Sequence, residues 1–181
     1  MTPALSLRLN AIGLFAISAV LIFAFADQLV LNDLPCPLCI LQRAAFVVAG
    51  FGLALNLRFG PRASHYAVMI IGALAGAAVA GRQILIHIVP DTGSYGSALL
   101  GLHFYSWAFI VFALIVLGTA IMLLFDGQFA DDEPPVNRLT GLSLAAFALF
   151  ALLALCNGVS TVLECAGGLC PDDPTDYLLL R

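Results

Sequence analysis

A chain of 181 residues that is 62% hydrophobic and only 10% charged is far below the ~25% charge of a soluble domain. It has no lysine, a net charge of −4 and no basic patch for nucleic acid to bind. The composition excludes a sizeable soluble domain and leaves an all-α integral membrane protein.

Five apolar segments each come near the ~20 residues that cross a bilayer. They are Leu9–Val30, Pro37–Leu57, His65–Val89, His103–Phe125 and Leu139–Asn157. The connections between them are short, so a compact helical bundle is expected. The first segment has a rival reading: Arg8, an apolar run and Ala24-Phe25-Ala26 resemble a cleavable signal peptide. The run is long for a signal and leads straight into another span, which favours a retained helix.

Between the first two segments stands Pro35-Cys36-Pro37-Leu38-Cys39-Ile40, with Arg43 one turn further in. Pro37 restricts Cys36 to extended backbone and suits the first position of a helix. Cys36 is then the N-cap residue, and Cys39 lies among unpaired N–H groups at the positive end of the helix dipole. Both features favour a thiolate at Cys39. Arg43 follows Cys39 by four residues and shares its face. A thiolate, a vicinal cysteine and a fixed cation at one point read as a redox centre. Cys-x-x-Cys-His would indicate haem attachment, but residue 40 is Ile.

In the third segment Gly72-Ala73-Leu74-Ala75-Gly76, Ala80 and Gly81 form a small-residue face for close helix packing inside the bundle. Arg82 and His87 follow near its end. A charge within a span costs about 2.5–3.5 kcal/mol on insertion scales and usually marks function. Arg43 and Arg82 are therefore candidates to contact a bound acceptor, against the plainer reading that each snorkels to the interface. His87 is a candidate donor of a hydrogen bond or proton to the same acceptor. The stretch 91–101 is turn-rich and weakly apolar, suited to lying along the membrane surface. His103-Phe104-Tyr105-Ser106-Trp107 opens the fourth segment as an interfacial aromatic anchor.

Arginine counting sets the orientation. With the N-terminus cytoplasmic, the inner flanks hold Arg8, Arg58, Arg62 and Arg138, and the outer loops Ala26–Leu34 and Pro90–Leu102 hold neither Lys nor Arg. The inner loop Asp126–Arg138 carries Asp126, Asp131, Asp132 and Glu133, but acidic residues weigh little in this rule. An odd number of spans puts the C-terminus outside. Cys36, Cys39, Cys165 and Cys170 then all reach the compartment where disulfides persist. The domain reading is a four-helix redox core over 1–125, an acidic cytoplasmic loop and fifth helix over 126–157, and a periplasmic tail over 158–181.

Cys165 and Cys170 enclose Ala166-Gly167-Gly168-Leu169, a glycine-bearing turn. A small ring in an exposed tail points to a labile disulfide more than to a staple. Glu164 precedes Cys165 and disfavours a thiolate there, which leaves Cys170 as the faster-leaving thiol. Cys156 reads as a buried small apolar residue. A zinc site from the four outer cysteines satisfies tetrahedral coordination on paper and is the basis of a non-enzymatic alternative, a metal-binding membrane subunit.

Pro35-Cys36-Pro37-Leu38-Cys39-Ile40 with Arg43, preceded by one span, resembles the signature of the disulfide bond formation protein B family. The likeness covers about residues 9–125. It implies a bacterial inner-membrane quinone reductase that reoxidises a periplasmic thioredoxin-fold thiol oxidase, a disulfide bond formation protein A-like partner. It implies that Cys36 and Cys39 are the quinone-coupled pair, that Cys39 is the thiolate against the quinone (ubiquinone or menaquinone), and that Arg43 contacts the quinone head. His87 is a looser match. Usual members carry a second cysteine pair between helices three and four and end after helix four. Here Pro90–Leu102 has no cysteine and a fifth apolar segment follows; the simplest account is that Cys165 and Cys170 replace the missing pair. A vitamin K epoxide reductase-like quinone reductase also uses a Cys-x-x-Cys in a small bundle, but typically late in the chain.

Overall fold

The computed structural model describes residues 1–89, 93, 98–129, 139 and 141–181. The expectations placed on Arg138, on the acidic residues Asp131, Asp132 and Glu133, and on most of 90–97 lie outside the described residues.

Among the described residues, five helices are long and apolar enough to cross a membrane: α1 (Pro3–Val30), α2 (Pro37–Phe59), α3 (Ala63–His87), α4 (Phe104–Leu123) and α5 (Gly141–Cys165). The chain is a multi-pass membrane protein. Proline starts two of the helices at positions where its missing N–H costs nothing. Pro3 follows Thr2, whose hydroxyl accepts the Leu5 N–H at 3.3 Å, and Pro37 follows Cys36. Gly60, at φ 86°, ends α2 in a conformation that L side chains avoid, and the chain turns directly into α3. Before α4, a short hairpin pairs β1 (Ala98–Leu99) with β2 (Leu102–His103). Its turn residues Leu100 and Gly101 both have positive φ, which matches a two-residue hairpin turn. The fold is all-α apart from this hairpin.

Helix α2 lies at the centre. It packs along α3 on one side and α1 on the other, while α3 carries α4 and α5 covers α1 and part of α2. The small-residue face works inside the bundle: Gly72, Ala73, Gly76 and Ala80 are buried. A Cβ on Gly72 would stand 2.8 Å from the Ala49 backbone nitrogen, so α2 and α3 approach at backbone distance. Gly76 makes room for Phe112, which stacks on Phe46 with ring centroids 4.0 Å apart. Helices α1 and α4 are further apart, bridged by the edge-to-face pair Phe23 and Phe104 at 5.2 Å.

The two ends of the bundle differ. At the end remote from the cysteines, buried polar side chains satisfy one another. Ser6 donates to Gln128 Oε1 (2.8 Å), Asn10 Nδ2 donates to the Tyr66 hydroxyl (2.9 Å), and Asn56 Nδ2 donates to Asn10 Oδ1 (2.8 Å). This network ties α1, α2, α3 and the 3-10 turn Asp126–Phe129 together.

Three expectations need correction. Helix α1 does not begin at Leu9 but at Pro3, because the Thr2 cap and Pro3 start it ahead of the apolar run. Helix α5 does not end at Asn157 but continues to Cys165. Its polar residues are absorbed by the helix itself: Asn157 Nδ2 donates to the Leu153 carbonyl and Thr161 Oγ1 to the Asn157 carbonyl, each at 2.9 Å. Cys165 therefore closes a helix and is buried, where an exposed tail was expected. Cys156, expected buried, is exposed, because α5 packs by one side only and Cys156 lies on the other.

Candidate functional site

Cys36 is the N-cap of α2 (φ −64°, ψ 162°), and its Sγ accepts the Cys39 N–H at 3.2 Å. The register set by Pro37 thus puts both sulfurs at the positive end of a 23-residue helix. The two are disulfide-bonded, with Cα atoms 5.0 Å apart. Cys36 is buried and Cys39 half-buried.

Two glutamines that the sequence reading did not single out stand behind this pair. Gln83 Nε2 on α3 donates towards Cys36 Sγ at 3.4 Å and Cys39 Sγ at 3.7 Å, and Gln83 Oε1 accepts from Gln42 Nε2 at 2.7 Å. Sulfur is a weak acceptor, so these contacts orient more than they stabilise. Their one signal in the sequence is an uncharged amide inside an apolar span.

Cys39 and Arg43 open together on a cavity of about 380 Å³ between α1, α2 and α4. Its walls include Phe23, Phe46, Phe104, Tyr105 and Trp107. It fills the space left where α1 and α4 diverge. Arg43 is held from the α1 side: its guanidinium donates to the Ala24 carbonyl at 2.9 Å and to Gln28 Oε1, and lies 5.6 Å from the Phe25 ring centroid. An aromatic-lined cavity with a fixed cation and a sulfur in its wall suits a planar ring bearing carbonyl oxygens.

The other two candidates stand apart. His87 donates from Nδ1 to the Gln83 carbonyl at 2.8 Å and stacks on Tyr105 at 5.4 Å, so it reaches the cavity through a wall residue. His103 also stacks on Tyr105, at the same centroid distance. Arg82 is exposed and outside the cavity lining, one residue from the buried Gln83.

Cys165 and Cys170 form the second disulfide, with Cα atoms 4.5 Å apart. Cys165 is buried and Cys170 half-buried. This pair lies at the same end of the bundle as the first, and Gln28 is the link. While Gln28 Oε1 accepts from Arg43, its Nε2 donates to Ser160 Oγ on α5 at 2.9 Å and to the Tyr177 hydroxyl at 2.8 Å. One amide therefore joins α2, α5 and the C-terminal segment. That segment ends in an exposed ion pair, Arg181 to Asp176 at 2.6 Å, which holds the Asp176 carboxyl below its ordinary range.

The comparisons with known proteins agree with this architecture. Residues 7–95, which contain the first cysteine pair and Arg43, match the family model described as disulfide bond formation protein DsbB. The chain is similar to disulfide bond formation protein B of Xanthomonas euvesicatoria, 32% identical over 148 residues, which is 77% of this chain and 86% of that relative. Disulfide bond formation protein B 1 of Pseudomonas fluorescens is 34% identical over 133 residues, 70% of each chain. The Xylella fastidiosa protein of the same name is 29% identical over 150 residues, 79% of this chain and 81% of its own. No solved structure matches. The chain belongs to the disulfide bond formation protein B family and is a multi-pass thiol–disulfide oxidoreductase of the bacterial inner membrane.

Proposed function

We propose that the protein passes two electrons from a reduced periplasmic dithiol protein, a thioredoxin-fold thiol oxidase, to a membrane quinone. The observation that carries this reading is the shared opening of Cys39 and Arg43 on one aromatic cavity beside the Cys36–Cys39 disulfide. In this reading the partner's thiolate attacks the Cys165–Cys170 disulfide, and the resulting dithiol reduces Cys36–Cys39 by exchange. Cys39, at the helix N-terminus, is the sulfur presented to the cavity. Arg43 stabilises negative charge there, and its anchorage on α1 means that no reorganisation is needed when the charge develops. Quinone, ubiquinone or menaquinone, supplies the two-electron acceptor. Arg43 is the direct cofactor contact, His87 acts behind Tyr105, and Arg82 acts at most on the field around the site.

The test is quinone reduction by purified protein supplied with a reduced thioredoxin-fold partner. Wild type turns over. Cys36→Ser and Cys39→Ser fold but are inactive with any dithiol donor. Turnover in either variant above a few per cent of wild type removes that cysteine from the reaction.

A further inference from the structure

Glu164 is fully buried, and neither of its carboxyl oxygens has a hydrogen-bond partner among the described residues. It occupies the last turn of α5, one residue before Cys165. Both side chains are buried while Val162 and Ala166 are exposed, so Glu164 and Cys165 share the inner side of the helix. The charge that acts on Glu164 is Arg43, across the boundary with α2. Arg43 nevertheless directs its N–H groups to Ala24 and Gln28 and forms no ion pair with Glu164. Asp27 on α1 and Tyr177 in the C-terminal segment also act on Arg43. A carboxylate without donors is among the costliest groups to bury. An ionisable side chain kept inside a span against that cost is a mark of function.

The neighbouring disulfide supplies the task. Cys170 is half-buried and Cys165 buried, so an incoming thiolate meets Cys170 and Cys165 leaves, the reverse of the order expected from the charge of Glu164 alone. Without a proton source, Cys165 would leave as a second buried anion beside a carboxyl group. We propose that Glu164 exchanges a proton with Cys165, giving it up as the Cys165–Cys170 disulfide opens and taking it back when Cys165 next attacks. This rests on the tail pair being the entry point for electrons, as proposed above.

The steps balance. The donor thiolate bonds to Cys170 Sγ, and the Cys165–Cys170 bond breaks. Its electron pair goes to Cys165 Sγ together with the Glu164 proton, and the new carboxylate is left in the field of Arg43. The donor's second thiol loses its proton to solvent and attacks the first donor sulfur, which forms the donor's own disulfide and releases Cys170 as a thiolate. In the next step the carboxylate removes the Cys165 proton as Cys165 Sγ attacks the Cys36–Cys39 disulfide. One sulfur of that disulfide departs with the electron pair. The Cys170 thiolate then attacks Cys165 Sγ, which restores the Cys165–Cys170 disulfide and releases the second sulfur of the Cys36–Cys39 pair with its electron pair.

The experiment uses the full-length protein in lipid nanodiscs, with dithiothreitol as the donor. The opening rate of Cys165–Cys170 is followed by acid quench and mass spectrometry at several pH values, normalised to donor thiolate. In wild type the normalised rate falls as pH rises. E164Q is slower by about 100-fold, the lower end of what a positioned general acid contributes, and its profile is flat. E164D restores the pH dependence. Infrared difference spectra upon reduction show loss of a protonated-carboxyl band in wild type and not in E164Q. A wild-type rate and profile in E164Q overturn the proposal, as does a uniform slowing with unchanged pH dependence, which is what a packing role produces. If E164Q does not fold, E164D and the infrared band decide, and a wild-type spectrum without carboxyl loss overturns the proposal. None of these readouts involves quinone or partner. Failure of the electron-entry reading is recognised separately, by normal partner oxidation in the C165S/C170S double variant.

Discussion

A guanidinium tied to two acceptors on a neighbouring helix is not free to snorkel to the membrane surface, and Arg43 is tied in this way to Ala24 and Gln28. Arg43→Ala is expected to raise the apparent quinone KM by one to two orders of magnitude, about 1.4–2.8 kcal/mol. Arg43→Lys recovers only part of this, since an ammonium cannot serve two acceptors and the ring with the guanidinium's planar fork. Unchanged quinone kinetics in both variants would make Arg43 an anchor between helices and nothing more. The cysteines and Arg43 were legible in the sequence because Pro37 fixes where the helix starts, and every later residue inherits that register. Gln28, Gln42 and Gln83 were not. An amide carries no charge to flag it, and its partners come from helices that are distant in sequence. Glu164 was visible as an acid beside Cys165, but its burial depends on α5 continuing past Asn157, where the apolar run stops.

Helices were legible from hydropathy because each span is a continuous apolar run, and Pro37 marked the start of α2; the start of α1 at Pro3 was not legible, because Ser6 and Arg8 precede the apolar run. The end of α5 is marked by Gly167, at φ 76° just beyond Cys165, but the apolar run breaks earlier: Gly158 lies within the helix, and Asn157 and Thr161 bond back to carbonyls one turn earlier. Polarity was therefore mistaken for the end of structure. The seam between α2 and α3 is the element-scale feature most exposed to test. Gly72→Ala puts a methyl group 2.8 Å from the Ala49 backbone nitrogen, so the helices must separate. The expected loss is about 1–3 kcal/mol, as for other overpacked sites, read as a lower midpoint of thermal unfolding in detergent. Gly118, whose Cβ would meet nothing within 4 Å, is the control: Gly118→Ala is expected to leave the midpoint unchanged or raise it slightly. Equal effects at the two positions would mean that the seam is looser than the backbone approach implies.

Across the whole molecule, both disulfides and the cavity lie at one end of the bundle, and the satisfied polar network lies at the other. For the chemistry to work, the disulfide end has to face the oxidising side of the membrane. The arginine distribution favours that orientation, with the N-terminus in the cytoplasm. A reporter that works only outside the cytoplasm is expected to be active when fused after Arg181 and silent when fused within 126–137. The reverse pattern would strand Cys165 and Cys170 in a reducing compartment and break the relay. With that orientation, the proposed role of the second pair can be tested through its position. Cys170 is reachable from outside the bundle, whereas Cys36 is buried behind Gln83. A large protein donor should therefore need the second pair, and a small dithiol that enters beside Cys39 should not. In the C165S/C170S double variant, oxidation of a thioredoxin-fold partner is expected to fall to background, while a small dithiol still drives quinone reduction through Cys36 and Cys39. Cys165→Ser alone leaves Cys170 without its resolving thiol and should trap a mixed disulfide with the partner, visible on a non-reducing gel. Normal partner oxidation by the double variant would make the second pair a staple at the end of α5 and send the partner directly to Cys36.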